Sequence, residues 1–388
     1  MKKGIVHMKK LNLQDICASL IAILAVLENI ARPAHYICAG LQLLLAFEIM
    51  CYLVLNSKIV LGDVLLVGGV MITGAANMML IGQMDLPKLL KVLSHFPAAV
   101  YLADQSIRRN TDCWKMTGKF IFFFILVWWG LFGKGEMLFH SASRNYVSIF
   151  LILALFLVAA GSCTDTSMQI QPYYYWLLLL ASVLAVGRNG IICALFVNAV
   201  YYLYVFFLKQ DRTYQNRFIF CMTGLGLLAV LMCYGFIKSD FIVQKYFSRF
   251  VDGTQVGSNI IRKSILRDYW ESLHNPRNLF LGVDAAGLSD FLKDANGNLH
   301  CSYFMVQAAF GIIPFLVFLA LMIRTEYLLF LEKKTELLIL LTAFLLRVLT
   351  DTAFPNHLGD IAAWYLVLYP YHRNGKRKPV RLTIQTGV

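Results

Sequence analysis

Three arginines and one histidine occupy positions in this sequence where their side chains could do chemistry. Arg144 and Arg188 each precede an apolar segment. Arg262 lies on the apolar side of a predicted helix, and His300 ends the one long polar segment of the chain. A guanidinium group binds phosphate oxygens through a planar fork of donors, and an imidazole can take a proton from an attacking hydroxyl. These residues predict a site that binds a phosphorylated substrate and deprotonates a hydroxyl group.

The two arginines beside apolar segments are each followed by an asparagine. The segments read Ser143-Arg144-Asn145-Tyr146 and Gly187-Arg188-Asn189-Gly190. Each segment opens a helix, where free backbone N–H groups favour anions. We therefore predict that both Arg-Asn pairs contribute to substrate binding. A simpler interpretation of such an arginine is that its side chain extends to the membrane interface. For Arg32 this interpretation fits better than a functional role, and for Arg347 the two interpretations fit equally well.

His300 is one of three histidines that could act as the base. His274 and His357 also fall in polar segments on the same predicted side of the membrane. From position alone, an ordinary interfacial histidine remains the simpler interpretation of each. Asp284 is predicted to cap a turn or to pair with an arginine. The polar segment has no Asp-x-Asp motif, and the chain has no Cys/His metal spacing, so we expect neither a metal nor a cofactor.

The composition is that of a polytopic membrane protein. Of 388 residues, 59% are hydrophobic and 15% are charged, whereas soluble domains carry about 25% charged residues. In lipid the backbone must satisfy its own hydrogen bonds, and the sequence lacks the short alternation of a membrane barrel, so the fold class is all-α. The net charge of +13 does not indicate nucleic-acid binding, because Lys and Arg also accumulate in cytoplasmic loops.

Twelve apolar runs predict about 12 transmembrane helices. They are 13–31, 34–55, 59–81, 88–104, 119–139, 146–162, 173–187, 190–208, 218–237, 302–323, 337–354 and 360–371. If the N-terminus is cytoplasmic, the cytoplasmic segments collect 20 of the 35 Lys and Arg. This places both termini inside. The chain then divides into nine membrane helices (1–237), one large external loop (238–301), and three membrane helices with a basic cytoplasmic tail (302–388).

Within the large loop, residues 258–273 predict an amphipathic helix that ends before Asn275-Pro276. Its apolar arc holds Ile265, Leu266, Tyr269, Trp270 and Leu273. Arg262 also falls within this arc. A desolvated guanidinium is costly unless it is paired. Arg262 therefore either meets a carboxylate in the fold or binds an anionic ligand.

These residues resemble two related bacterial families, the O-antigen polymerases and the O-antigen ligases. The large periplasmic loop of those families is similar to the pattern Arg262…Trp270…Pro276…Leu281-Gly282-Val283…His300-Cys301-Ser302-Tyr303-Phe304…Phe310-Gly311-Ile312. Arg188-Asn189-Gly190 is similar to a Ser-Arg-Gly-Gly element of the same families. Arg144-Asn145-Tyr146-Val147-Ser148 resembles a segment of oligosaccharide repeat-unit polymerases.

The resemblance implies a metal-independent, GT-C-like glycosyltransferase of the bacterial inner membrane. Its donor would be an oligosaccharide on undecaprenyl diphosphate, held by Arg144, Arg188 and Arg262, with His300 as the base. A chain-length regulator and a flippase are the expected protein partners. Two alternatives stay open: a ligase that transfers glycan to lipid A core, and, from another class, a transporter or flippase of polysaccharide lipids.

Overall fold

A computed structural model gives the structure of most of the chain. The residues that it describes are 12–30, 32–82, 85–108, 111–132, 138–139, 143, 145–162, 170–185, 188–209, 212, 215–216, 256–294, 297–355 and 358–374. Their secondary structure is helical, without strands, as the sequence predicts. Several predicted features lie outside these residues: the ninth apolar run (218–237), the first part of the large loop (238–255), the basic tail after Asn374, Arg144 and His357.

Sixteen α-helices are named here in chain order over the described residues. They are α1 (Leu13–Leu27), α2 (Arg32–Leu55), α3 (Leu61–Leu80), α4 (Leu86–Ser94), α5 (Phe96–Arg108), α6 (Asp112–Phe132), α7 (Tyr146–Gly161), α8 (Pro172–Leu184), α9 (Arg188–Leu203), α10 (Val256–Ser272), α11 (Pro276–Leu281), α12 (Asp290–Asp294), α13 (Ser302–Phe310), α14 (Ile312–Leu331), α15 (Thr335–Arg347) and α16 (Gly359–Asn374). A π-helical segment, Tyr204–Lys209, continues α9, and a 3-10 turn, Ala285–Gly287, precedes α12.

Five of the described helical segments are long and apolar enough to cross a membrane, which is consistent with the predicted membrane protein. They are Ala34–Leu55, Leu61–Leu80, Asp112–Phe132, Asn189–Phe206 and Ile312–Leu331. The helices α1, α7 and α8 are apolar but shorter. The count of twelve spans, the sidedness of the loops and the location of both termini stay predictions.

Two of the predicted spans are broken helices rather than single ones. The run 88–104 divides into α4 and α5 at His95, and the run 302–323 divides into α13 and α14 at Gly311. Gly311 has a φ of +82°, a conformation that favours glycine. A Cβ at this position would collide with the carbonyl oxygen of Phe280 in α11. The break therefore lets the backbone of α11 approach the junction of α13 and α14 closely.

The centre of the structure is formed by α5, α7 and α16. Almost every residue of α7 is buried, and α5 is buried from Phe96 to Ser106. Close packing depends on small residues, as is usual between membrane helices. A Cβ at Gly118 of α6 would collide with the carbonyl oxygen of Ala154 in α7. The long helices α2, α3, α6 and α14 surround this centre and expose large apolar side chains on their outer faces.

Buried polar contacts connect helices that are distant in sequence. Lys91 of α4 forms an ion pair with Glu28, which follows α1, at 2.9 Å. The last helix, α16, is held at both ends, because Asp360 contacts the ring of His95 at 3.2 Å and His372 contacts Asp63 of α3 at 3.0 Å. Since buried polar groups need hydrogen-bonding partners, these contacts favour this arrangement of neighbouring helices.

The segment from α10 to α12 forms a second, smaller core. Its fully buried members are Ile265, Tyr269, Val283, Ala285, Leu292, Leu299 and Ala308. The predicted amphipathic helix is present as α10, and Arg267 and Glu271 pair at 3.8 Å on its exposed face. Within the predicted apolar arc, Ile265 and Tyr269 are buried and Leu266 and Leu273 are half-buried, but Trp270 is 55% exposed. Its ring instead packs edge to face against Phe304.

Candidate functional site

His300 lies in the short connection between α12 and α13, where the small core meets the membrane helices. It is half-buried and has a φ of +54°, unusual for a residue other than glycine. Its backbone N–H donates to Oδ1 of Asn298 at 2.8 Å. The same oxygen accepts a hydrogen bond of 2.7 Å from the hydroxyl of Thr352, in the segment after α15. The backbone of His300 is therefore held to two parts of the chain.

Ser302, the first residue of α13, holds the other side of this connection in place. Its hydroxyl donates to the carbonyl oxygen of Asp351 at 3.1 Å and accepts from the N–H of Ala353 at 2.8 Å. Its own N–H donates to the carbonyl oxygen of Val348 at 3.0 Å. These bonds hold the start of α13, two residues after His300, against the segment that follows α15.

Arg262 and Asp351 act on the charge of His300. Burial lowers the pKa of His300 below its ordinary value of 6.5, Arg262 lowers this pKa further, and Asp351 opposes both. His300 is therefore neutral at pH 7, in the form that accepts a proton. Within the described part of the chain, neither the guanidinium of Arg262 nor the ring of His300 has a hydrogen-bonding or ion-pair partner.

Arg347, the last residue of α15, is buried and binds groups from three parts of the chain. Only 1% of it is exposed, and it forms an ion pair with Asp351. Nη2 donates to the carbonyl oxygen of Asn145 at 2.8 Å, and Nε donates to the hydroxyl of Ser148 at 3.1 Å. A further bond of 3.2 Å reaches the hydroxyl of Thr350. Arg347 does not extend to the interface, which was one of its two predicted interpretations.

The starts of α7 and α9, the two predicted Arg-Asn segments, meet in the same region. A Cβ on Gly190 of α9 would lie 2.6 Å from the hydroxyl of Ser148 in α7, so the helices touch at these residues. Tyr146 donates to the carbonyl oxygen of Thr352 at 2.7 Å. Asn145 and Asn189 are both half-buried. The two predicted site segments are thus adjacent. Arg347 connects the start of α7 to Asp351, and the charge of Asp351 acts on His300.

Two of the predicted phosphate-binding side chains cannot be placed in this geometry. Arg144 lies outside the described residues, and so does the side chain of Arg188, although its backbone begins α9. The role of each stays a prediction. The start of α9 nevertheless lies next to that of α7, so the backbone of Arg188 is near Ser148.

The other histidines and the aspartate considered in the sequence are His274, His357 and Asp284. His274 is exposed beyond the end of α10, and its Nδ1 lies 3.0 Å from the carbonyl oxygen of Glu271. Asp284 caps the 3-10 turn by accepting from the N–H of Gly287 at 3.3 Å, as the sequence predicts for a turn cap. His357 lies outside the described residues. Two candidate bases lie within the described residues, His274 and His300. We prefer His300, because the charges of Arg262 and Asp351 act on it.

The sequence analysis did not identify Asp351, Asn298 or Thr352. Asp351 stands four residues after Arg347, a spacing that pairs opposite charges on a helix, so the sequence contains a signal for this pair. Asn298 and Thr352 carry no such signal. Over the described residues, no three His, Cys, Asp or Glu side chains converge as metal ligands would.

Comparisons with known proteins do not assign the chain to a family. No family model matches the sequence, and no curated protein matches it.

Proposed function

We propose that this protein is a glycosyltransferase that joins polyprenyl-diphosphate-linked oligosaccharide repeat units into a surface polysaccharide, an O-antigen or a capsule. The reaction takes place at the outer face of the bacterial inner membrane. The observation that supports this most is the neighbourhood of His300. A histidine whose pKa is lowered by burial and by the charge of Arg262 lies where a polar segment enters the membrane helices.

In the proposed reaction, His300 takes the proton from a hydroxyl of the incoming lipid-linked repeat unit. The hydroxyl oxygen attacks the anomeric carbon of the growing glycan with inversion and forms the new glycosidic bond. The bond between that carbon and the diphosphate oxygen breaks, and its electron pair leaves with the polyprenyl diphosphate. A neutral histidine suits this step, since a base must be unprotonated at the working pH.

Arg262 supplies a positive charge for the leaving diphosphate, and Arg144 and Arg188 are proposed to join it. The diphosphate gains negative charge as the sugar leaves, so these contacts strengthen in the transition state and raise turnover. No metal ion or cofactor is part of the proposed reaction. Asn145 and Asn189 are proposed to contact the substrate from the adjoining helix starts.

Asp351 has a proposed part in the same step. Its charge favours the protonated form of His300, which exists only after proton transfer. Arg347 holds Asp351 in place through their ion pair. The pair therefore positions a negative charge that stabilises the imidazolium without leaving an unpaired carboxylate in the interior.

The proposed location determines the proposed partners. The substrate would reach the outer face through a flippase, and a chain-length regulator would set the number of units joined. Both termini are proposed to be cytoplasmic, which the distribution of Lys and Arg supports.

The proposal is tested with the purified protein in lipid nanodiscs and an undecaprenyl-diphosphate-linked oligosaccharide. We expect a ladder of glycans that differ by one repeat unit, together with released undecaprenyl diphosphate. Transfer that occurs only after lipid A core is added would indicate a ligase instead. Movement of the intact lipid across a vesicle membrane, without bond formation, would indicate a transporter and contradict the enzyme proposal.

A further inference from the structure

His300, the candidate base, has a backbone conformation that other residues must hold. Its φ of +54° lies in the left-handed region, which costs a residue other than glycine about 1–2 kcal/mol. Such strain persists only where the surrounding contacts determine it, and it is concentrated at functional sites. A return to an ordinary negative φ would turn the backbone by more than about 100° and would point the side chain in another direction. The placement of the imidazole therefore depends on what holds the backbone of His300.

Asn298 provides this hold by accepting two hydrogen bonds on one oxygen. The N–H of His300 donates to Oδ1 of Asn298 at 2.8 Å, and the hydroxyl of Thr352 donates to the same oxygen at 2.7 Å. An asparagine that bonds the backbone two residues further on is a common way to make a tight turn. Here the turn is also tied to the segment after α15. Thr352 is 5% exposed, so water competes little for its hydroxyl.

Thr352 extends this connection to the start of α7. Its carbonyl oxygen accepts a hydrogen bond of 2.7 Å from the hydroxyl of Tyr146. Tyr146 is the first residue of α7 and follows Asn145, a predicted substrate-binding residue. One threonine thus bonds the predicted binding segment through its backbone and the turn of the candidate base through its side chain. These contacts join two parts of the proposed site.

We infer that Asn298 and Thr352 are positioning residues for His300: their shared hydrogen bond holds the backbone of the base in its left-handed conformation. Neither side chain takes part in the reaction itself. Without the bond the turn can relax, and the ring then leaves the charges of Arg262 and Asp351 that act on it. This inference rests on the proposed function, in which His300 is the base.

Two substitutions at Thr352 separate the hydroxyl from the packing of the side chain. Thr352→Val removes the donor and keeps the shape, whereas Thr352→Ser keeps the donor. Thr117→Val is the matched control, because Thr117 of α6 is also 5% exposed and its hydroxyl donates to the carbonyl oxygen of Cys113 at 2.9 Å. Asn298→Ala removes the shared acceptor and replaces Thr352→Val if that variant does not fold.

The first measurement is hydrogen–deuterium exchange at the ring carbon of His300, followed by mass spectrometry of the purified protein in nanodiscs. This exchange reports the accessibility and the protonation of an imidazole and needs no substrate. We expect the exchange to be several-fold faster in Thr352→Val and in Asn298→Ala, and equal to that of the wild type in Thr352→Ser and in Thr117→Val. Unchanged exchange in both of the first two variants would overturn the inference.

The second measurement is the rate of repeat-unit transfer. We expect Thr352→Val to lower kcat by between about 10-fold and about 100-fold while KM stays within about twofold, because a displaced base slows the chemical step without weakening binding. Thr352→Ser should restore kcat. An unchanged kcat in Thr352→Val would also overturn the inference. A wild type without transfer activity would instead remove the proposed function, so the two failures are distinguishable.

Discussion

The guanidinium of Arg347 donates a hydrogen bond of 2.8 Å to the backbone carbonyl of Asn145, 202 positions earlier in the chain. This bond joins the end of α15 to the start of α7. Because Arg347 also pairs with Asp351, it links a predicted substrate-binding segment to a carboxylate that acts on His300. The electrostatic environment of the candidate base therefore depends on an arginine buried among the membrane helices.

The first prediction concerns the stability of this pair. Arg347→Met leaves Asp351, which is 6% exposed, as an uncompensated charge in the interior. Removing one partner of a buried pair costs about 3–5 kcal/mol of folding free energy. The variant should show a correspondingly lower Tm in detergent, measured from the fraction that remains monodisperse after heating.

Two further variants make this measurement specific to the buried pair. Replacing both partners, with Arg347→Met and Asp351→Leu, should recover much of the lost stability, since no unpaired charge remains. Arg267→Met removes an exposed pair on α10 and should change the free energy of unfolding by less than about 1 kcal/mol. A Tm of Arg347→Met equal to that of Arg267→Met would contradict the role given to Arg347.

A second prediction follows from the direction of the His300 pKa shift. The base form is required, so activity falls as the pH falls through the pKa of His300. Since burial and Arg262 lower this pKa, the acid limb of kcat/KM should have its midpoint below pH 6.5. Arg262→Gln removes one of the lowering effects, and the midpoint should move to higher pH. The measurement is the pH profile of repeat-unit transfer by the purified protein.

Lys263→Gln is the matched control for this profile. Lys263 follows Arg262 in α10 and carries the same charge, but its side chain is exposed. Its replacement should leave the midpoint unchanged. A midpoint that moves equally in both variants would show that the shift reflects net charge and not the placement of Arg262 beside His300.

A third prediction tests how α10 is anchored. The hydroxyl of Tyr269 donates to Oε1 of Gln307 at 2.7 Å, and Nε2 of Gln307 bonds the carbonyl oxygens of Asn278 and Leu279. Tyr269→Phe leaves a buried acceptor without its donor, which costs about 1–3 kcal/mol. The Tm should fall, whereas Tyr36→Phe, at a residue 79% exposed, should leave the Tm unchanged. An equal Tm in both variants would show that α10 is held by other contacts.

A fourth prediction concerns the break between α13 and α14. Gly311→Ala adds a Cβ that collides with the carbonyl oxygen of Phe280, at a positive φ. Such strain costs about 1–3 kcal/mol, so the Tm should fall. Gly130→Ala, in α6 with open space around its Cβ, should leave the Tm equal or higher because alanine favours helix. A tolerated Gly311→Ala would mean that α11 does not approach this junction closely.

Hydrophobic pattern was enough to predict most helices of this fold. The apolar runs that fall within the described residues, and the amphipathic pattern of α10, mostly coincide with helices, because burial in lipid or against a core selects them. The breaks at His95 and Gly311 were missed, because an apolar run does not reveal where backbone from another segment comes close. Helical periodicity places Trp270 on the apolar arc, because it gives the direction in which a side chain points. It does not give the extent of the protein surface that covers that side chain.

The candidate site could be predicted only in part. Arg262 stands out in the sequence as an arginine in an apolar arc, whereas His300 becomes the candidate base only through the resemblance of its surroundings to a known family. The sequence does not single out Asp351, since its effect on His300 depends on how the end of α15 packs against the start of α13. Arg347 fitted two interpretations equally, and only its partners, Asn145, Ser148 and Asp351, distinguish them.

The most direct test of the account is the rate of glycan polymerisation by His300→Ala compared with His274→Ala. Both variants remove one histidine from the segment 256–300, but His274 is exposed and lies beyond the end of α10. Loss of a general base reduces the rate by about 10²–10⁴-fold. The account predicts this loss for His300→Ala, with normal folding and activity for His274→Ala. Full activity of a folded His300→Ala would contradict it.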